Sequence, residues 1–199
     1  DAKISREVAD ERLIQHTKNT FKCVLKSKNL IWLMIVTMLI FCAQKINREY
    51  YQLWYIALLA PTIVFGIAGS FIEGLSGLGG LLVKYINSKR VNIILSIFLG
   101  LASLALSLSS NLLITITAQV LIAAVSGALL LYFTAQIQHK LPSRYRTGSG
   151  SVISAVGRIV LIPLTLIFGI LSNQSIFIAG WMLVALSVLA VFVQLQLDE

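Results

Sequence analysis

Residues 61 to 84 have the sequence PTIVFGIAGSFIEGLSGLGGLLVK, an apolar run that holds one carboxylate, Glu73, near its centre. The 22 residues between Pro61 and Lys84 form a helix long enough to cross a bilayer core roughly 30 Å thick, at about 1.5 Å rise per residue. Glu73 would then lie near the midplane. Ionisable side chains at that depth usually face a bundle interior or a wet cavity, so Glu73 is the first candidate functional residue.

Small residues recur at helical spacing around this carboxylate. Gly69 and Gly77 share its face of the helix, and the next face carries Gly66, Ser70 and Gly74. Because small residues let neighbouring helices approach closely, these faces are predicted to point at protein rather than at lipid.

The composition places the whole chain in a membrane. Hydrophobic residues make up 57% of the 199 residues and charged residues 12%, and the mean hydropathy is +0.87. These values exclude a soluble globule with a polar shell and predict an all-α integral membrane protein. The net charge of +8 comes from basic residues beside apolar runs, which suits topology rather than nucleic-acid binding. Cys23 and Cys42 have no disulfide or metal-ligand spacing, so both are interpreted as structural, and no cofactor or metal is expected.

Hydropathy predicts a six-span transmembrane bundle over residues 30–195, after a cytoplasmic linker over 1–29 and before a tail over 196–199. In the first span strict hydropathy stops at Ala43, too soon to cross alone, and the helix is expected to continue through polar residues to about Trp54. The predicted spans are residues 30–54, 62–84, 91–108, 112–137, 148–171 and 175–194.

The basic residues predict the orientation of this bundle. Of 16 lysines and arginines, the loops of one side hold all except Lys45 and Arg48, assigned to the other side, and Arg158, which lies inside a span. By the positive-inside rule both termini are predicted to be cytoplasmic, in a multi-pass protein of the cytoplasmic (inner) membrane.

Two stretches resemble the major facilitator superfamily of transporters. Residues 141–154, LPSRYRTGSGSVIS, resemble the cytoplasmic loop that enters the family's eleventh helix. Residues 49–55, EYYQLWY, are similar to the end of its seventh helix. Lys84 departs from the family's loop signature, which would place an acid about four residues after Gly80. With the basic linker and six spans, the chain resembles the C-terminal six-helix half of such a 12-helix transporter.

This resemblance implies a fold, a function and a partner. The first, second, fourth and fifth spans would line a central cavity, and the third and sixth, whose interiors lack charged and amide side chains, would face lipid. The implied function is secondary active transport of a small solute, with proton-coupled efflux of small amphipathic compounds as the first expectation. The implied partners are the lipid bilayer, the substrate, and an N-terminal six-helix half or a second copy, and no nucleic acid. The alternatives are an uptake permease for a small metabolite and a non-transporting six-span scaffold.

Two ionisable residues at similar predicted depth are the sharpest candidates. Glu73 is either a protonatable carboxylate that loads a proton or holds a cationic substrate, or a structural partner between helices. Arg158, which shares a face with Ser151 and Ser154, is either an anion contact or switchable partner of Glu73, or half of a fixed buried pair.

The remaining candidates belong to the first, fourth and fifth spans. The cluster of Lys45, Arg48 and Glu49 either binds an anionic group in the outer half of the cavity or marks a solvated helix end. Gln44 and Gln119 suit a cavity wall, or else they form hydrogen bonds between helices. Near the fifth span, Arg144 and Arg146 are predicted to set topology and to form contacts of a cytoplasmic gate.

One enzymatic pattern is present and is rejected. Residues 74–77, GLSG, match the serine motif of rhomboid proteases, which also have six spans. A nucleophilic Ser76 would need a base within hydrogen-bond reach, and the histidines, His16 and His139, lie in the linker and at the cytoplasmic edge. The chain is therefore not expected to be an enzyme.

Overall fold

The computed structural model of the chain describes residues 27–86 and 88–197. Most of the predicted linker, with His16 and Cys23, and the last two residues of the tail lie outside these described residues.

The described residues form six α-helices and one short 3₁₀ helix, and they include no strand. Each of the six is long and apolar enough to cross a membrane, which confirms the predicted all-α class and the count of six spans and indicates a multi-pass membrane protein. The helices are α1 (Lys28–Ala57), α2 (Thr62–Leu82), α3 (Lys89–Leu108), α4 (Leu112–Lys140), α5 (Ser143–Gln174) and α6 (Ile176–Leu195), with the 3₁₀ helix Val83–Tyr85 after α2.

Polar side chains and prolines mark where the helices begin. The Asn111 side chain accepts hydrogen bonds from the backbone of Leu113 and Ile114 at 2.9 and 3.3 Å, which satisfies N–H groups that have no partner within α4. Serine side chains cap three other helices in the same way. The remaining two helices follow prolines, which fix an extended entry to the first turn. These residues are Ser27 for α1, Ser88 for α3, Ser175 for α6, Pro61 for α2 and Pro142 for α5.

The first helix is longer than its apolar run. It continues from Ala43 through its polar stretch to Ala57, slightly beyond the predicted end near Trp54. A helix of 30 residues is about 45 Å long, so the polar residues of its second half lie well inside it. The continuation of the helix predicted from the sequence is confirmed.

Helices α1 and α4 pack against each other at the centre of the bundle. Each also contacts three others: α1 packs on α2, α5 and α6, and α4 on α2, α3 and α5. Helices α3 and α6 pack against one another on one side, whereas α2 and α5 make no contact with each other within the described residues. The buried share of the apolar window is 18% in α2 and 17% in α5, against 39 to 50% in the other four helices, so these two helices leave broad faces open.

Short connections make successive helices run in opposite directions. The starts of α1, α3 and α5 and the ends of α2, α4 and α6 therefore lie at one end of the bundle. We call it the basic end because it carries Lys28, Lys84, Lys89, Arg90 and Lys140. Lys89 at the start of α3 donates to the Leu197 carbonyl oxygen after α6 at 2.5 Å, which ties two of these helix ends together.

The closest approach of two helices is between α2 and α4. A Cβ placed on Gly79 would lie 2.6 Å from the Ala124 carbonyl oxygen, and one on Gly127 would lie 2.5 Å from the Ser76 carbonyl oxygen. Glycine at both positions lets the backbones touch. The predicted small-residue faces around Glu73 behave differently. A Cβ at Gly69 would meet the Tyr51 side chain, whereas positions Gly66, Gly74 and Gly77 have open space around them. Among the described residues, these glycines therefore meet protein only at Gly69.

Candidate functional site

The structure pairs Glu73 of α2 with Arg48 of α1 through an ion pair and a hydrogen bond from Arg48 Nε to Glu73 Oε1. Both side chains are about half exposed, at 46% and 50%. We call the exposed surface of α1 and α2 that carries Arg48 and Glu73 the open side of the bundle. Arg48 is nine residues from the end of α1, and Glu73 is 11 residues from the start of α2. These offsets place both charges about 14 to 17 Å from the end of the bundle opposite the basic end, near the middle of α2.

A second ion pair continues the charged surface along α1. Lys45 Nζ lies 3.7 Å from Glu49 Oε1, one helical turn apart, and 6.0 Å from the centre of the Phe41 ring. The Phe41 ring also covers Gly157 of α5, since a Cβ there would lie 3.0 Å from the ring. The residues of this pair lie eight or more positions before Ala57 and do not form the end of the helix.

Polar contacts join α1 to α2 and α4 behind these charges. Gln44 Nε2 donates to Ser76 Oγ at 3.0 Å. This hydrogen bond lies about one helical turn closer to the basic end than the pair of Arg48 and Glu73. Asn47, which is buried, donates from Nδ2 to the main-chain oxygen of Gln119 at 3.1 Å. Ser76 therefore has a hydrogen-bonding role beside Gln44.

Gln119 is the centre of a buried network. Its Oε1 accepts a hydrogen bond from the Tyr55 hydroxyl at 2.5 Å, and its Nε2 donates to the Tyr51 carbonyl oxygen at 3.2 Å. Gln119 and Tyr55 are fully buried, so this network fixes the packing of α1 on α4. The Tyr51 hydroxyl donates to the Phe65 carbonyl oxygen at 3.2 Å, which extends the network to α2.

Arg158 lies near the middle of α5, 15 residues after Ser143 and 16 before Gln174, and it is exposed. It makes no ion pair with any described residue. The structure thus brings Glu73 to Arg48 rather than to Arg158, and it does not place Arg158 in a buried pair. Ser154, one turn before Arg158, is exposed on the same helix.

The two predicted gate residues lie at the basic end. Arg144 and Arg146 belong to the first turn of α5, and their side chains are outside what the structure describes. Their role as gate contacts stays a prediction.

The sequence-based candidates did not include Asn47, Tyr51 or Tyr55, and Ser76 was considered only as a nucleophile and rejected. A sequence signal existed for the tyrosines, because residues four apart share a helix face and Tyr51 and Tyr55 form such a pair at the end of a span. Asn47 lies in the polar stretch QKINRE, residues 44–49, where nothing in the sequence distinguishes a buried amide from its charged neighbours.

Comparison with known proteins finds no match for this chain. No protein-family model matches the chain, and no curated protein or solved structure matches it. The resemblance to the major facilitator superfamily therefore stays a prediction.

The open side of the bundle has a defined chemistry. Lys45, Arg48, Glu49 and Glu73 on α1 and α2 give two positive and two negative charges, which form the two ion pairs. Arg158 is a further exposed positive charge on α5. Such a face offers a pair that can open when its carboxylate is protonated, and a cation for an anionic group.

Proposed function

We propose that this chain is one half of a secondary transporter in which a small solute moves along the open face of α1, α2 and α5. A second six-helix bundle would cover that face. The observation that carries the proposal is the exposure of Arg48, Glu73 and Arg158 at mid-helix depth.

The physical argument concerns what these charges can touch. Ionisable side chains at membrane depth face a bundle interior or water, because hydrocarbon does not solvate them. Helices α3 and α6 expose large apolar side chains such as Phe98 and Phe192, and no ionisable side chain lies near the middle of either helix. Helices α2 and α5 also expose apolar side chains such as Ile63 and Ile162, but Glu73 and Arg158 among them need protein or water against them.

The Arg48 and Glu73 pair suggests how a proton gradient would drive this transport. Protonation of Glu73 removes the charge that holds the Arg48 guanidinium, and loss of the proton restores it. If the pair opens in one state of the transporter and closes in the other, the two bundles rock around a proton-sensitive contact. Efflux of small amphipathic compounds remains the first expectation, and uptake of a small metabolite remains the alternative.

A transport assay tests this proposal. Everted membrane vesicles that contain the complete protein would be given an inward acid pH gradient and a panel of fluorescent amphipathic dyes. We expect gradient-driven dye movement by the unmodified protein and by the control variant Lys84→Gln, which removes a charge at the basic end. We expect Glu73→Gln to abolish the dependence on the gradient. Undiminished coupling in Glu73→Gln would remove Glu73 from the mechanism.

One observation favours a non-transporting scaffold as the second candidate. The four charges of the open face on α1 and α2 are already paired within the chain, as expected for structural contacts. A scaffold of this kind would pair its open face with a second copy. The size of the native polypeptide, detected through a tag after Glu199, separates the two ideas. A band near twice the 21.8 kDa of this chain supports a two-bundle transporter, and a band near 21.8 kDa favours the paired scaffold.

A further inference from the structure

A polar cavity of about 440 Å³ opens at the basic end between α1, α3, α4 and α6, away from the charged face of α2 and α5. Its walls include Lys89 and Asn92 of α3, Tyr132 and Lys140 of α4, and Gln194 of α6. Nothing in the proposed transport mechanism uses this cavity.

The charge of the cavity suits an anion. Lys89 and Lys140 contribute two ammonium groups, and the described lining residues include no carboxylate. Lys89 donates one hydrogen bond to the Leu197 carbonyl oxygen, which leaves two of its three N–H donors for a ligand. The start of α3 also points to this end of the bundle, and a helix start favours negative charge.

Two buried side-chain oxygens in the wall lack a hydrogen-bond donor within the described part of the chain. Asn92 and Gln194 are 4% and 1% exposed, and neither Asn92 Oδ1 nor Gln194 Oε1 has a partner among the described residues. The Gln194 amide is held by its Nε2, which donates to Ser96 Oγ at 2.6 Å. A buried amide oxygen without a donor is unfavourable, so an anion that carries hydroxyl groups fits better than a bare phosphate.

An apolar groove of about 440 Å³ begins beside this cavity. It runs along the outer side of α3 and α6 and is lined by residues such as Gly100, Leu104 and Val188. The buried hydrogen bond between Gln194, which lines the cavity, and Ser96, which lines the groove, separates the two by one pair of side chains. From Ser96 to Leu104 the helix rises about 12 Å, a length that accommodates much of an acyl chain.

We propose that the cavity and the groove together bind one anionic glycerophospholipid with a glycerol headgroup. Its phosphate contacts Lys89 and Lys140, its headgroup hydroxyls donate to Asn92 and Gln194, and one acyl chain lies in the groove between α3 and α6. Basic pockets between membrane helices are suited to anionic headgroups. A choline headgroup has no hydrogen-bond donor for Asn92 and Gln194. The ammonium of an ethanolamine headgroup would lie beside two positively charged lysines, which is unfavourable.

Lipid binding to the purified protein in detergent tests this inference. Native mass spectrometry would count bound dioleoyl phosphatidylglycerol, with dioleoyl phosphatidylcholine and soluble glycerol phosphate as competing probes. We expect phosphatidylglycerol to bind at least 10-fold more tightly than either. We expect Lys140→Gln and the double variant Lys89→Gln, Lys140→Gln to lose most of this binding. Lys140 makes no hydrogen bond or ion pair with a described residue, so its single variant separates loss of the ligand from loss of the fold.

Matched variants separate the site from the general charge of the basic end. The variant Lys84→Gln, Arg90→Gln removes the same charge at the same end outside the cavity, and we expect unchanged binding. Gly100→Leu fills the groove, and we expect it to weaken phosphatidylglycerol and leave glycerol phosphate unaffected. Equal weakening by both double variants would overturn the proposal, because binding would then follow total charge. Equal affinity for glycerol phosphate and phosphatidylglycerol would also overturn it in favour of a soluble phosphate ester.

Discussion

Arg48 of α1 and Glu73 of α2 form an ion pair on the open side of the bundle, 25 positions apart in the chain. Helices α1 and α2 otherwise share few contacts, since α2 packs mainly on α4. The pair therefore links the loosely held face of α2 to the centre of the bundle. Its two charges lie where neither could face hydrocarbon without a large cost.

We expect a strong coupling between these two residues. Arg48→Leu or Glu73→Leu alone leaves an unpaired charge at membrane depth and should reduce the yield of folded protein. The swapped variant Arg48→Glu, Glu73→Arg should recover part of that yield. A double-mutant cycle on thermal stability in detergent would measure the coupling, which we expect to exceed that of the Lys45 and Glu49 pair, about 0.3 to 0.5 kcal/mol for exposed neighbours one helical turn apart. Additive effects of the two single changes would contradict a direct interaction.

The contact of α2 with α4 should be sensitive to a single methyl group. Gly127→Ala would place a Cβ 2.5 Å from the Ser76 carbonyl oxygen, so the two backbones must separate. We expect a loss of about 1 to 3 kcal/mol, measured as a lower melting temperature in detergent. Gly66→Ala is the matched control, because a Cβ there meets nothing within 4 Å. A Gly127→Ala protein as stable as the control would show that the backbones are not in contact.

The hydrogen bond from Tyr55 to Gln119 should contribute measurably to stability. Tyr55→Phe leaves the buried Gln119 Oε1 without its donor, and we expect a cost of about 0.6 to 1.7 kcal/mol, the range found for hydrogen bonds between membrane helices. Tyr50→Phe is the control, since the Tyr50 ring packs on Phe168 at 5.0 Å and its hydroxyl makes no hydrogen bond to a described residue. Equal melting temperatures of the two variants would argue against the network around Gln119.

The orientation predicted from the basic residues can be measured with single cysteines. In a protein with Cys23→Ser and Cys42→Ala, Tyr85→Cys marks the basic end and Ser110→Cys marks the opposite end, and both positions are exposed. We expect an impermeant maleimide to label Ser110→Cys in intact cells and Tyr85→Cys only after the membrane is opened. The reverse pattern would place the basic end outside, against the positive-inside rule.

Much of the fold was predictable because hydropathy and helix length are strong signals in a membrane protein. The six helices follow from apolar runs of sufficient length, and the extension of α1 past Ala43 follows from the need to cross the bilayer. The packing was less predictable. The glycines that bring α2 to α4 are Gly79 and Gly127, whereas the more conspicuous Gly66, Gly74 and Gly77 meet nothing in this chain. Spacing alone does not show which glycine face has a neighbour.

The charged members of the candidate site were predictable, but their pairs were not. Glu73 and Arg158 were recognisable as charges in apolar runs, and Arg48 as part of a charged cluster with Lys45 and Glu49. Equal depth on two helices suggested that Glu73 and Arg158 would meet, but α2 and α5 are not neighbours, and Arg48 on the helix between them forms the pair. The Gln119 network depends on how α1 packs on α4, which sequence spacing does not determine.

If the open face of α2 and α5 lines a water-filled pathway, as we propose, the reactivity of single cysteines in native membranes will reveal it. In the background without other cysteines, Gly77→Cys and Ser154→Cys place thiols one turn from Glu73 and Arg158, and Ile97→Cys and Val188→Cys place them on the apolar side of α3 and α6. A charged, impermeant methanethiosulfonate reagent reacts with thiols that water reaches. We predict rapid modification at Gly77→Cys and Ser154→Cys and none at Ile97→Cys and Val188→Cys. If all four thiols stay unmodified while Ser110→Cys reacts, the face is dry, and the account of a solute pathway is wrong.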